Sequence, residues 1–157
     1  MAINVNEIEA ELTKCLITEL NIHLLETKAT VVFEQEGSGR NFSVTPFNEY
    51  NPSIYVYYEN GVPIVYITIG QNTVLEVPIE GNGYTDKNGE LELLSILKCI
   101  MRKGFEEKVW KIKDKIIKSV AKLDLESETD PVTVSSSSLY NPFSHKTVVT
   151  KCYIPFY

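Results

Sequence analysis

The stretch that decides the fold is SIYVYYENGVPIVYITIGQNTVLEVPI, residues 53–79. Asn60-Gly61 lies between two runs of β-branched and aromatic residues, which is the strongest short-range signal for a two-residue hairpin turn. Such a turn pairs Ile54 with Ile67, Tyr55 with Tyr66, Val56 with Val65 and Tyr57 with Ile64. A second turn over Gly70-Gln71-Asn72 then pairs Ile67 with Leu75 and Val65 with Val77. The stretch therefore predicts an antiparallel meander of three strands.

The meander divides its side chains between two faces, because successive residues of a strand point in opposite directions. The aliphatic set must face the core; its members are Ile54, Val56, Val65, Ile67, Leu75 and Val77. The other set is Tyr55, Tyr57, Ile64, Tyr66, Thr68, Val74 and Glu76.

Tyrosine is enriched at protein interfaces, since it combines a large rigid contact area with a polar tip. We therefore predict that Tyr55, Tyr57, Tyr66 and Glu76 bind a partner. Two alternatives need no partner: cross-strand aromatic pairs that only stabilise the sheet, or a second helix that packs on the tyrosines.

Helices and further strands flank the meander. Asn6 and Glu9 have the spacing of a capping box, which predicts an N-terminal helix that ends near residues 21–25. Strands are predicted at 29–36 and 41–47, a loop at 80–89, and a second helix at about 90–103 that stops at Gly104. The 157 residues suit one α+β domain with a mainly antiparallel sheet.

The segment 105–125 fits two structures. Phe105, Val109 and Ile112 begin a series at helical spacing, but Gly104 interrupts the helical run. From Ile117 to Leu125, every second residue instead alternates with a largely polar one, as in a strand, and Lys113-Asp114-Lys115 is able to turn a hairpin. We favour the hairpin. Polar residues and four consecutive serines predict a mobile loop at 127–145, and the composition of 146–157 predicts an edge strand.

The charges are unevenly distributed along the chain. Residues 1–92 carry 14 acids against 4 bases, residues 93–125 carry 9 bases against 4 acids, and the net charge of the chain is −6. This distribution makes nucleic acid an unfavourable partner for the N-terminal part and permits a basic protein. The alternative is that acids and bases only solvate separate faces.

Cysteine usage and the N-terminus indicate a cytoplasmic protein. The three cysteines are widely spaced and form no CxxC pair, as expected for reduced thiols. The first residues lack the basic and apolar regions of a signal peptide, and no apolar run has the length of a membrane span. We expect neither a membrane nor a nucleic-acid partner.

The sequence contains no recognisable catalytic or metal-binding motif. Nucleophilic catalysis needs a nucleophile beside a base, but the only histidines are His23 and His145, and there is no GxSxG or cysteine-protease signature. Neither HExxH nor paired CxxC is present. We therefore expect no catalytic residues, no metal and no cofactor.

One segment resembles a known family. GFEEKVWKIKDKIIKSVAKLDL, residues 104–125, is similar to small bacterial immunity proteins, in which a helix is followed by a glycine and a hairpin with a Trp and a Lys-Ile-Ile-Lys-Ser-like strand. Here Lys113-Asp114-Lys115 replaces the usual turn glycine. The resemblance implies a stoichiometric inhibitor whose acidic residues and aromatics block a toxin, often a basic nuclease.

The leading hypothesis is therefore a non-enzymatic immunity protein that occludes a cognate toxin. A second hypothesis is a chaperone of a type III-like secretion system, because such chaperones are also small, acidic and α+β. A third, from another class, is a small-molecule-binding protein or enzyme with a pocket between helix and sheet.

Overall fold

The computed structural model describes residues 20–36, 39–59, 64–78, 87–125 and 131–157. Its helices are α1 (Ile22–Glu26) and α2 (Lys87–Lys103). Its strands are β1 (Ala29–Glu36), β2 (Gly39–Pro46), β3 (Ile54–Glu59), β4 (Ile64–Ile69), β5 (Thr73–Pro78), β6 (Phe105–Ile112), β7 (Lys115–Leu123), β8 (Val132–Ser137) and β9 (Thr147–Tyr153). The α+β class with mainly antiparallel sheet is confirmed. The start of the predicted N-terminal helix and the Asn60-Gly61 turn lie outside the described residues.

Two helix boundaries differ from those predicted, and one is confirmed. Asn21, which we expected near the end of a helix, instead caps the start of α1, because its side chain accepts a hydrogen bond from Leu24 N at 3.2 Å. Helix α2 begins at Lys87 rather than at about residue 90. Its predicted end at Gly104 is confirmed, since Gly104 has φ +70° and its N–H donates to Ile100 O.

The first sheet is an antiparallel meander in the order β1-β2-β3-β4-β5. The predicted pairing of β4 with β5 is confirmed, with Ile67 opposite Leu75 and Val65 opposite Val77. The pairing of β3 with β4 was wrong by two residues, since Ile54 faces Ile69 and Tyr57 faces Tyr66.

The error in register has a physical reason and a limited effect. The predicted register would have placed Pro63 opposite Tyr58, and proline has no N–H for the ladder. A shift of two residues leaves every side chain on its predicted face, because the period of a strand is two. The aliphatic set is accordingly buried, with 0–7% of each side chain exposed.

The second sheet is antiparallel in the order β8-β7-β6-β9. The favoured hairpin at 105–125 is confirmed as β6 and β7, with Ile112 opposite Lys115 and a register irregularity at Trp110/Lys111. Lys113 occupies the turn with φ +54°. The C-terminal strand β9 lies at the edge of this sheet, as predicted.

Part of the predicted loop at 127–145 is a strand. Residues 132–137 form β8, which pairs with β7 so that Val134 faces Ala121 and Ser136 faces Ser119. The loop was predicted from the serines, although Val132 and Val134 alternate with polar residues as in a strand. The Ser136 hydroxyl oxygen also accepts a hydrogen bond from Val74 N at 2.9 Å. Strand β8 therefore adjoins the edge of the first sheet at β5.

A single core connects the two sheets and α2. It combines the aliphatic face of the first sheet with Ile96, Leu97, Ile100 and Met101 of α2 and with Phe105, Ala121, Leu123 and Tyr153 of the second sheet. Phe156, which follows β9, is fully buried in the same core. The segment 154–157 is held by Ile154 N donating to Tyr50 O and Phe156 N donating to Met101 O.

The buried Glu107 side chain joins the two sheets through the turn between β4 and β5. Its carboxyl oxygens accept hydrogen bonds from Gln71 N at 2.9 Å, Asn72 N at 3.3 Å and the Thr73 hydroxyl at 2.6 Å. The Tyr153 hydroxyl also donates to it at 3.3 Å. Burial and the neighbouring Glu107 raise the pKa of Tyr153, which keeps this phenol protonated as a donor.

Replacement of Glu107 by alanine is expected to lower the free energy of unfolding by at least about 3 kcal/mol, because four donors lose this acceptor and two of them, the Thr73 and Tyr153 hydroxyls, are buried. Glu106→Ala is the matched control, since Glu106 points to the opposite face of β6. It should cost less than about 1 kcal/mol. Urea unfolding of both variants measures the difference, and equal losses would show that Glu107 does not join the sheets.

Lys113→Gly is expected to stabilise the protein by up to about 1 kcal/mol, because glycine adopts a positive φ without the steric cost that lysine bears. Lys115→Gly, in strand β7, should instead destabilise by about 0.5–1 kcal/mol. Thermal unfolding of the two variants gives the comparison. A destabilised Lys113→Gly protein would contradict the left-handed turn.

Candidate functional site

The four residues predicted to bind a partner lie on the face of the first sheet that points away from the core. The register places Tyr57 opposite Tyr66 and Tyr66 opposite Glu76 on adjacent strands. Tyr55 lies two residues before Tyr57 on the same face of β3. The structure thus brings all four together.

The strand pairing extends this group into a row that crosses the whole sheet. Each strand contributes one residue: Glu34 of β1, Asn41 of β2, Tyr57 of β3, Tyr66 of β4 and Glu76 of β5. We call this set the tyrosine row. At about 4.8 Å between neighbouring strands, it spans about 19 Å. Tyr55 belongs to the next row, opposite Thr68 and Ser43.

Solvent reaches this face. Tyr55 is 40% and Val74 is 38% exposed, Glu76 is exposed, and Tyr57 and Tyr66 are half-buried. Among the described side chains of helix α2, those that are buried belong to the core on the aliphatic side and do not pack on the tyrosines, as one alternative proposed. The other alternative, that the rings only stabilise the sheet, remains compatible with the cross-strand pair of Tyr57 and Tyr66.

Tyr57 has a structural role that the other tyrosines do not share. A Cβ atom at Gly39 would lie 2.7 Å from the Tyr57 hydroxyl oxygen and 2.9 Å from a ring carbon, so the ring covers the glycine backbone. The ring thereby fills the space that a side chain at position 39 would otherwise occupy. Asn41, which adjoins Tyr57 in the row, is only 6% exposed.

In the part of the chain that the structure describes, the charged residues of this face are all acidic. Glu34 and Glu76 lie on the two outermost strands of the sheet, and the described residues of the face include no Lys or Arg. Carboxylates therefore flank an aromatic centre.

Sequence reasoning missed Glu34 and Asn41. The signal for them was the sequence Gly37-Ser38, which is typical of a two-residue hairpin turn, because such a turn would pair Glu36 with Gly39 and hence Glu34 with Asn41. The structure shows both of these pairs.

A small cleft lies at the β1–β2 side of the first sheet. Its volume is about 260 Å³, and its lining residues are Phe33, Glu34, Gln35, Arg40, Asn41 and Tyr58. Pockets for small molecules are usually about 300–1,000 Å³. The cleft therefore has a mixed polar and aromatic lining but suits only a small ligand.

Residues with metal-binding or nucleophilic side chains are dispersed. Among the described residues, no group of three or more His, Cys, Asp or Glu could hold a metal ion. His23 belongs to α1, whereas His145 lies in the loop before β9. Cys99 is buried as expected, with its thiol 3.3 Å from Asp124 O, whereas Cys152 is exposed on β9.

Comparisons with known proteins leave the family open. No protein-family model, no curated protein and no solved structure matches this chain significantly. Within the described residues, no helix has both the length and the apolar character needed to cross a bilayer.

Tyr57→Ala is expected to lower the free energy of unfolding by at least about 1 kcal/mol more than Tyr55→Ala, because only Tyr57 covers the Gly39 backbone. Urea unfolding of the two variants measures this difference. Equal costs would mean that the packing on Gly39 contributes nothing. A small cost for Tyr55→Ala makes this variant the better probe of partner binding.

Proposed function

We propose that this protein is a non-enzymatic inhibitor of another protein, most concretely an immunity protein that neutralises a cognate bacterial toxin by occlusion. The observation that carries the proposal is the tyrosine row. It presents two half-buried tyrosines at the centre of a sheet face that solvent reaches, with Glu34 and Glu76 at its margins.

This arrangement has the anatomy of a protein-binding surface. Binding energy at interfaces concentrates in a few central aromatic or arginine residues, which are surrounded by a polar rim. The carboxylates at the rim favour a basic partner, because complementary charge accelerates association and orients the encounter. A basic toxin domain has the chemistry that fits both features.

The segment that resembles immunity proteins gives a second, weaker support. Helix α2, Gly104 and the β6–β7 hairpin follow one another in the order expected from the resemblance. Lys113, in the segment that replaces the usual turn glycine, adopts a positive φ that favours glycine.

Tyr55→Ala combined with Glu76→Lys tests the proposal. A tagged protein is first used to isolate a stoichiometric partner from the native host, and the partner is then expressed with and without this protein. We expect the wild-type protein to suppress the partner's toxicity. The double variant should bind at least tenfold more weakly, as about 1.4 kcal/mol of lost contact energy implies.

Glu106→Lys is the matched charge-reversal control, because Glu106 lies on the other sheet. It should leave neutralisation unchanged. Toxicity that the wild-type protein does not suppress would refute the immunity function. A dimer bound to an extended segment of an effector would instead indicate a secretion chaperone.

The cleft supports a second candidate function, the binding of a small molecule. Arg40 and Asn41 supply polar groups beside Phe33 and Tyr58, which fits a small anionic or amide-containing ligand with an apolar part. A thermal-shift screen with nucleotides and small carboxylates tests it. A stabilising ligand should lose its effect in Arg40→Ala, whereas the absence of any shift excludes these ligand classes.

A further inference from the structure

One end of the second sheet combines protruding apolar side chains with lysines. Strand β8 ends with Ser137 opposite Lys118, and β9 begins with Thr147 opposite Lys111. The loop 138–146 therefore crosses the sheet at the same end as the tip of the β6–β7 hairpin. Ser138 N donates to Ile117 O at 2.9 Å, which fixes the start of the loop on β7.

The loop exposes side chains that proteins normally bury. Leu139 is 100% and Phe143 is 94% exposed, and Tyr140 is 41% exposed. Val148, at the start of β9, is 45% exposed. Exposed apolar groups that cluster in this way mark a surface that contacts a protein or a membrane.

Lysines surround these apolar groups. Those near the hairpin tip (residues 111–118) and in the loop 138–146 are Lys111, Lys113, Lys115, Lys118 and Lys146, and the single acid in these two segments is Asp114. Two of the lysines lie over aromatic rings: Lys146 Nζ is 5.0 Å from the Tyr140 ring centre, and Lys118 Nζ is 5.0 Å from the Trp110 ring centre. We call these lysines, together with Leu139, Tyr140, Phe143 and Val148, the basic apolar end.

We propose that the basic apolar end docks on the surface of a lipid bilayer that contains anionic lipids. Leu139 and Phe143 insert between the acyl chains near the headgroups, and the lysines contact the lipid phosphates. Each lysine near such a surface is attracted electrostatically to the anionic lipids. The amphipathic rings of Tyr140 and Trp110 favour the level of the headgroups.

A bilayer fits this end better than an acidic protein does. Lysine is depleted at protein interfaces, whereas it is the usual partner of anionic lipid surfaces. Leu139 and Phe143 also project almost completely into solvent. Isolated projecting groups of this kind insert into a fluid phase without requiring a matching pocket. The docking is peripheral, so it needs no membrane-spanning helix, and it departs from the sequence-based expectation of no membrane partner.

Vesicle binding of the full chain tests the proposal. Phosphatidylcholine vesicles with about 30% phosphatidylglycerol should bind the protein, and pure phosphatidylcholine vesicles should bind it much less. Raising the salt from about 0.05 to 0.5 M should weaken the binding, because it screens the lysines. Trp110 is the only tryptophan of the chain, so its emission should shift to the blue and be quenched by brominated lipids.

Substitutions separate the apolar and the electrostatic contributions. Phe143→Ser should weaken vesicle binding about tenfold, through loss of an inserted ring. Lys113→Ala should weaken it about fivefold for anionic vesicles only. The matched control is Phe47→Ser, because Phe47 is 66% exposed in the connection between β2 and β3 of the first sheet, outside the basic apolar end. It should bind as the wild-type protein does.

The proposal fails if the protein does not bind anionic vesicles at low salt, or if Phe47→Ser weakens vesicle binding as much as Phe143→Ser does. Binding to a soluble acidic protein without binding to vesicles would also refute it, in favour of a protein partner. The test is independent of toxin neutralisation, since the tyrosine row is on the other sheet and is unchanged in these variants.

Discussion

The structure depends on one buried carboxyl group. Glu107 belongs to β6, yet two of its hydrogen-bond donors come from the β4–β5 turn of the other sheet and a third is Thr73, the first residue of β5. Gly70 provides the room for it, because a Cβ atom there would lie 2.6 Å from Glu107 Oε1. The turn is thus held to the second sheet by polar contacts inside an apolar core, where an unpaired donor would be costly.

The Glu107 junction is one of two polar links that fix how the two sheets adjoin. The Ser136 hydroxyl links the edge of β8 to Val74 of β5, so the two sheets adjoin along these strands. Helix α2 and the residues after β9 cover the aliphatic side. The tyrosine row and the basic apolar end therefore lie on different sheets, with carboxylates at the first and lysines at the second.

The sequence predicted what depends on local periodicity. Alternation identified both faces of the meander, and a register error of two residues left every side chain on its predicted face. It did not identify β8, because serines occupy alternate positions of that strand and composition alone indicates a loop. Glu107 was beyond prediction, since its donors Gln71 and Asn72 lie 36 and 35 residues away along the chain. Alternation places Glu107 on the same face of β6 as Phe105 and Val109, but nothing local indicates which groups its carboxyl contacts. The four predicted site residues do lie together, whereas Glu34 and Asn41 required the register of a second hairpin.

The outer edge of strand β9 affects the tendency of the protein to aggregate. It is the last strand of its sheet, and no described strand pairs with its outer side. Val148 and Val149 are 45% and 44% exposed on its opposite faces, within the β-prone run Thr147–Thr150. Such an unprotected margin is a template for cross-β association between molecules. Lys151 directly follows the run and Pro155 lies five residues beyond its end, so a charge and an imino acid act as gatekeepers that keep the aggregation-prone stretch short.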